Sequence, residues 1–379
     1  MKGLLFLSLF LFLSKFFSLA NAKYNAIFSF GDSYADTGNF AVLTNSPGSP
    51  PYGMTYFGHP AGRSSDGRLV IDFIGIINFP LTGIMFCYVA QAFGLPLLPP
   101  YLAKSNNYNQ GANFAVFGAT ALGSQNNTST KAQQQGTSLD VQFQWFEELK
   151  PSLCNTPQAC NDFFAQSLFF VGEIGGNDHN FMLMAGKTVQ EVAAIVPKII
   201  AAISAVAEKL INEGATTLVV PGILPTGCVP VILTRFPSQN KDDYEPNTGC
   251  LKNYNGLSSL HDTLLRNAVT DLRAKYPQAR IIFAEYYQPV IDFLSNPAKF
   301  GFTGGSLKVC CGGGGPYNYN FSASCGGPGA SACSDPSTYV NWDGVHMTEA
   351  AFKQVATGWL NGPYADPPLS SVPSYQLAH

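Results

Sequence analysis

Ala26-Ile27-Phe28-Ser29-Phe30-Gly31-Asp32-Ser33 is the stretch that decides the fold. Five largely apolar, β-prone residues run into a turn that contains glycine, so Ser33 falls at the carboxyl end of an expected strand. Four more short runs of this kind recur, at Ala112–Phe117, Ser167–Val171, Thr216–Val220 and Arg280–Ala284. Amphipathic helices lie between several of them. The clearest spans Thr188–Glu213, with Val189, Val192, Val196, Ile199, Ile203, Val206 and Leu210 on one face and Gly214 at its end, and a second runs from about Lys252 to Lys275. Alternation of strands and helices predicts a parallel sheet covered on both faces. Ligands in such sheets bind beyond the carboxyl ends of the strands. That draws attention to Gly31–Ser33, Gly118-Ala119, Gly172–Asp178 and Pro221–Gly227.

One segment breaks the pattern. Ser65/Asp66 resembles a helix N-cap, and Leu69, Phe73 and Ile74 begin an apolar stripe. Gly75–Val89 then intervenes with Pro80, Gly83 and many large apolar side chains. Excising it lets Ala92 and Phe93 continue the stripe at helical spacing, with Gly94 and Pro96 closing the helix. The same excision removes Cys87 and turns nine cysteines into eight. Gly75–Val89 therefore reads as an insertion, with an apolar lid over the site as the alternative.

Residues 1–22 read as a secretory leader: Lys2, an apolar run over Leu4–Leu13, and Ala20-Asn21-Ala22 as a cleavage signal. Removing it takes away Lys2 and Lys15 and no acid, so the formal charge moves from −3 to −5. Nothing in that balance points to nucleic acid or an anionic membrane surface. No other stretch reads as a membrane span, so no stable insertion is expected. About 350 residues remain, within reach of one large α/β unit; the domain is expected over 23–366, with 367–379 as a tail. Secretion makes disulfides the default use of cysteine. Cys310, Cys311, Cys325 and Cys333 lack a histidine or a second Cys-x-x-Cys to complete a zinc site, so no metal is assigned. Asn126, Asn127 and Asn320 each open an Asn-x-Ser/Thr sequon, a mark of surface loops in a secreted chain.

A serine hydroxyl needs an imidazole to take its proton and a third group to orient that imidazole. Asp343-Gly-Val-His346 supplies an acid and a base close enough to share one turn. Gly118 after the second strand and Asn177 after the third are candidate donors to a developing oxyanion. Each piece alone has a bland reading, Gly-Asp-Ser as an ordinary turn and Asp-x-x-His as a surface helical turn. Together they point to acyl chemistry. No Gly-x-Ser-x-Gly elbow occurs, which argues against the α/β-hydrolase fold. His59, His261 and His379 are expected at the surface, and His179 near the cleft. Gly312–Gly315 has neither a preceding strand nor a following lysine, and is not a phosphate loop.

Phe-Gly-Asp-Ser33 with Asp36-Thr-Gly-Asn39, Gly111–Gly118-Ala, Gly172-Glu-Ile-Gly-Gly-Asn177-Asp178 and Asp343-Gly-Val-His346 resemble, in order, the four blocks of the plant GDSL esterase/lipase family of SGNH hydrolases. Tyr34 stands where the family name has leucine. The resemblance runs to about Asp366. It implies a flavodoxin-like α/β/α sandwich with a five-stranded parallel sheet, and no cofactor. It also implies Ser33 as nucleophile, His346 as base, Asp343 as its partner, and Ser33 N–H, Gly118 N–H and Asn177 as the oxyanion hole. The glycine-rich Arg63–Gly67 segment is an alternative to Gly118 as a neighbour of the site. The expected function is secreted hydrolysis of carboxylic esters through an acyl-enzyme, with acetyl or phenolic acyl esters of small metabolites as substrates. Acyl transfer, longer-chain lipolysis and a disabled binding protein are the rivals.

Overall fold

The structure is a computed structural model that describes residues 23–75, 93–104, 107–123 and 136–371. Its centre is a sheet built from β1 (Ala26–Phe30), β2 (Gly111–Asn113), β3 (Ser167–Val171), β4 (Thr217–Pro221) and β5 (Arg280–Ala284). These five strands run parallel in the order β2-β1-β3-β4-β5. A two-stranded hairpin, β6 (Cys311–Gly312) with β7 (Ser331–Ala332), stands apart. A last strand, β8 (Ala365–Asp366), adds antiparallel to β5, so the sheet has six strands rather than the five expected.

Strand alternation divides the core into two faces. Phe28, Phe30, Phe169, Leu218 and Phe283 point to one, where helices Leu139–Leu153, Val196–Asn212 and Lys252–Lys275 pack. Ile27, Leu168, Phe170, Val219 and Ile282 point to the other, against helices Val70–Gly75, Tyr287–Ser295 and Glu349–Asn361. This is the three-layer α/β/α sandwich. On the first face Phe28, Phe146, Phe164 and Phe169 make mutual ring contacts, with centroids 5.1–5.9 Å apart. Each such pair contributes about 1 kcal/mol beyond its area burial.

Several expected boundaries move. The second strand ends at Asn113 instead of Phe117, because the Asn113 side chain accepts from Ala115 N–H and donates to Ala35 C=O, bending the chain. Phe114 and Val116 still donate to Ser29 and Gly31 of the neighbouring chain. Thr188–Glu213 is two helices, Val189–Ala193 under a Thr188/Glu191 capping box and Val196–Asn212, which restarts with Pro197 in its first turn, where a missing N–H is harmless. By length and composition Val189–Asn212 also passes for a membrane span, contrary to the expectation of no further one. However, Ile199, Ile203, Val206 and Leu210 lie buried in the sheet core.

Ser65/Asp66 does not cap the helix at Val70. Asp72 accepts from Leu69 N–H there, whereas Asp66 accepts from Glu349 N–H at the start of the last long helix. Leu69, Phe73, Ile74 and Phe93 are buried in one cluster. Residues 1–22, expected as a leader, residues 76–89 of the expected insertion, and Asn126 and Asn127 lie outside the described residues. Asn320 is exposed. All eight cysteines other than Cys87 are paired, as Cys154–Cys160, Cys228–Cys250, Cys310–Cys333 and Cys311–Cys325. Of the expected tail, residues 367–371 pack on the domain: Leu369 is buried and its N–H donates to Trp359 C=O.

Candidate active site

The Ser33 turn is held from three sides. Gly31 has φ +149°, and a Cβ there would sit 2.8 Å from Glu173 C=O, so the approach of β1 to the turn after β3 requires glycine. Buried Gln142 accepts from Gly31 N–H and donates to Gly31 C=O, both at 2.8 Å. Asp32 accepts from Tyr34 N–H through its side chain, and Asp32 N–H donates to Glu173 C=O. Ser33 is left almost buried, with its hydroxyl oxygen 2.8 Å from His346 Nε2.

Asp343 closes a turn of its own. Its Oδ1 accepts from Val345 N–H (3.0 Å) and His346 N–H (2.9 Å), while Oδ2 lies 2.8 Å from His346 Nδ1. The Tyr52 hydroxyl donates to Oδ2 at 2.7 Å. Burial alone would raise the Asp343 carboxyl; the imidazole, the His346 N–H and the Tyr52 hydroxyl together hold it below the usual carboxylate range. Two residues after His346, Thr348 caps the last long helix, which fixes the loop. Tyr34 donates its hydroxyl to Val345 C=O, and the Tyr34 and Phe117 rings flank the imidazole, each centroid at 5.6 Å. Contact is thus continuous from Asp343 through His346 to Ser33.

Gly118 has φ +78° and lies in a segment pinned at both ends. Asp36 accepts from Phe117 N–H as well as from Gly38, Asn39 and Phe40, and Asp178 accepts from Ala121 and Leu122. Among the hydrogen bonds of the described residues, neither Ser33 N–H nor Gly118 N–H has an acceptor. Asn177 stands beside Ser33 and lines the same small cavity. Its amide nitrogen donates to Asp32 Oδ2 (2.8 Å) and to Ala119 C=O (3.0 Å), so both of its N–H bonds are engaged.

Two spaces meet at Val345, beside the serine. A cleft of about 510 Å³ opens on the His346 side, lined among others by Phe40, Tyr52, Arg63, Phe117 and Tyr319. A cavity of about 30 Å³ lies on the other side, bounded by Asn177, Ile223, Leu224, Thr226 and Val229. Arg63 and Ser64 reach the cleft, so the glycine-rich segment does approach the site. Sequence reasoning missed Tyr52, Gln142 and Glu173. Tyr52 and Gln142 lie in unremarkable sequence, and only Glu173, inside the Gly172–Asp178 block, carried a signal. His179 and His261 prove to be buried against each other, ring centroids 5.2 Å apart, away from the cleft and from the surface. His261 turns inward because it shares a helix face with Leu257 and Leu265. His59 is exposed, and His379 lies outside the described residues. No three His, Cys, Asp or Glu side chains among the described residues converge as a metal cage requires.

The fold is thus an α/β/α sandwich on a mostly parallel sheet, with Ser33, His346 and Asp343 in mutual contact beyond its strand ends. The chain belongs to the GDSL-like lipase/acylhydrolase family, whose model matches residues 27–359. It is 44% identical over 375 residues to the GDSL esterase/lipase At1g28600 of Arabidopsis thaliana, covering 96% of this chain and 92% of that one. It is 45% identical over 364 residues to the GDSL esterase/lipase At5g45910 of the same plant, covering 91% and 92%. Membership places the chain among the carboxylic ester hydrolases.

Proposed function

We propose that the protein is a secreted serine esterase in which Ser33, His346 and Asp343 form the catalytic relay. The observation that carries this reading is the unbroken contact from Asp343 Oδ2 through the imidazole to Ser33 Oγ, each step 2.8 Å, at the edge of an open cleft. Ser33 Oγ attacks the ester carbonyl while its proton passes to His346 Nε2, and Asp343 stabilises the imidazolium. The tetrahedral oxyanion takes the free Ser33 and Gly118 N–H groups; Asn177 joins them by turning its amide from Ala119 C=O. Collapse expels the alcohol, which takes the proton from His346, and leaves an acyl-enzyme. Water, deprotonated by the same imidazole, releases the acid.

The leaving oxygen must lie on the imidazole side to receive that proton. The alcohol moiety then occupies the 510 Å³ cleft and the acyl group faces the 30 Å³ cavity. A compact acyl group such as acetyl on a bulky, partly aromatic alcohol fits this division best. Four disulfides and an exposed sequon at Asn320 favour an oxidising, secretory environment. Ser33→Ala decides the mechanism: a folded variant should lose several orders of magnitude in turnover of an acetyl ester and all labelling by an organophosphonate. Wild-type turnover by folded Ser33→Ala would refute it. An added acceptor alcohol separates hydrolysis from transfer by the product formed.

A further inference from the structure

Behind the nucleophile, two carboxyl groups meet with no cation between them. Asp32 precedes Ser33, Glu173 follows the end of β3, and both are buried. Both line the small cavity that Ser33 and Asn177 share, and each acts on the other's ionisation, so two buried carboxyls that meet without a cation hold one proton between them. Among the ion pairs of the described residues, Arg63 is committed to Asp72 and Arg68 to Glu349, and none reaches Asp32 or Glu173.

The hydrogen-bond pattern tells the two apart. Asp32 Oδ1 accepts from Tyr34 N–H and Oδ2 from Asn177, so both of its oxygens act as acceptors. Glu173 Oε1 lies beside Gly176, at the first turn of the helix that carries Asn177. With both Asp32 oxygens accepting, the shared proton falls to Glu173. The neighbours around the pair are Tyr34 and Asp36 on the nucleophile turn, Asp178 on the Asn177 helix, Asp262 on helix Lys252–Lys275, Tyr286, and His346. Only His346 among these becomes a cation, and its charge acts on Asp32.

We propose that Glu173 is a positioning acid: it donates to the Asp32 carboxylate, which in turn holds Asn177, and so locks the Ser33 turn to the helix that carries Asn177. This rests on the esterase reading of Ser33. Burial first, and then the Asp32 charge, push the Glu173 carboxyl well above the usual range, in keeping with a protonated acid near neutral pH. Its ionisation would set two anions side by side, and the turn and Asn177 would separate.

The test is a pH profile of kcat and KM for wild type, Glu173→Gln and Glu173→Ala with a soluble acetyl ester, beside organophosphonate labelling of Ser33 in wild type. Glutamine keeps a donor and cannot ionise. It should retain kcat within about fivefold and lose the alkaline fall that wild type shows. Alanine should lower kcat by about 10–100-fold at every pH with KM little changed, the pattern of lost transition-state positioning. If Glu173→Ala does not fold, the Glu173→Gln profile decides alone. Glutamine as damaging as alanine, or an alkaline limb identical in wild type and Glu173→Gln, overturns the proposal while leaving the labelled serine in place. Unlabelled wild type overturns the esterase reading and this proposal with it.

Discussion

Replacing Asp343 by asparagine changes one oxygen to nitrogen, and the surrounding donors dictate which one. Val345 N–H and His346 N–H both point at Oδ1, so the asparagine carbonyl must take that place. The reverse orientation would strand two N–H groups, at a cost of about 1–3 kcal/mol each. The amide nitrogen then stands where Oδ2 was, 2.8 Å from His346 Nδ1 and 2.7 Å from the Tyr52 hydroxyl. There it donates to Nδ1, nearer than the carbonyl left at 3.0 Å, and favours the ring proton on Nε2, the atom that in the proposed mechanism accepts the proton of Ser33. A comparable wrong-tautomer substitution in another serine hydrolase lowers kcat about 10⁴-fold, and the same factor, about 5.5 kcal/mol of barrier, is expected here. The assay is kcat and KM on an acetyl ester, combined with NMR of the imidazole nitrogens. Wild type should carry its ring proton on Nδ1 and the variant on Nε2, with KM little changed. A variant within about tenfold of wild type in kcat, or an inactive one that keeps the Nδ1–H tautomer, would refute this reasoning.

Asn177→Ala should lower kcat by about 10²–10³ with little change in KM; a raised KM with kcat intact would instead make Asn177 a ground-state binding residue. Gln142→Leu strands Gly31 N–H and removes a donor from Gly31 C=O, for a loss of about 2–3 kcal/mol and a fall in Tm of about 3–4 °C in a domain this size, measured by thermal melting. His179 has its pKa lowered to about 4 by burial. Between there and the unfolded value near 6.5 only the unfolded chain takes up the proton, so this contribution is full above pH 6.5 and lost as pH falls towards 4. His179→Phe should therefore gain on wild type by about 2–3 kcal/mol as urea midpoints are followed down this window, and a constant difference would refute the assignment.

β1, β3 and β5 were legible to the residue because apolar runs end there in glycine or sharp polar turns. The second strand was overread, since its ending depends on where the Asn113 amide finds partners, and those partners come from the chain near Ala35. The break at Ala194–Ile195 was hidden in a stripe that stays apolar throughout, although Pro197 marked it. At the site, Ser33, Asp343 and His346 are local motifs and could be read as such. Tyr52 and Gln142 could not, because a lone tyrosine or glutamine becomes a second-layer ligand only through contacts made far along the chain. Asn177 was legible as a neighbour of Ser33, but its bonds to Asp32 and Ala119 were not.

The serine and its base are separated by 313 positions in the chain. A growing polypeptide can lay β1 beside β3 and β4 long before the histidine is made, because domains acquire structure from the N-terminal side during synthesis. The last long helix docks through Asp66 and Arg68, residues that have waited since early in synthesis. An unfinished chain therefore lacks both His346 and the last long helix, whose Phe352 and Trp359 complete the core on one face of the sheet. Under the proposed mechanism, ester turnover waits until the final stretch closes over the first and brings His346 to Ser33.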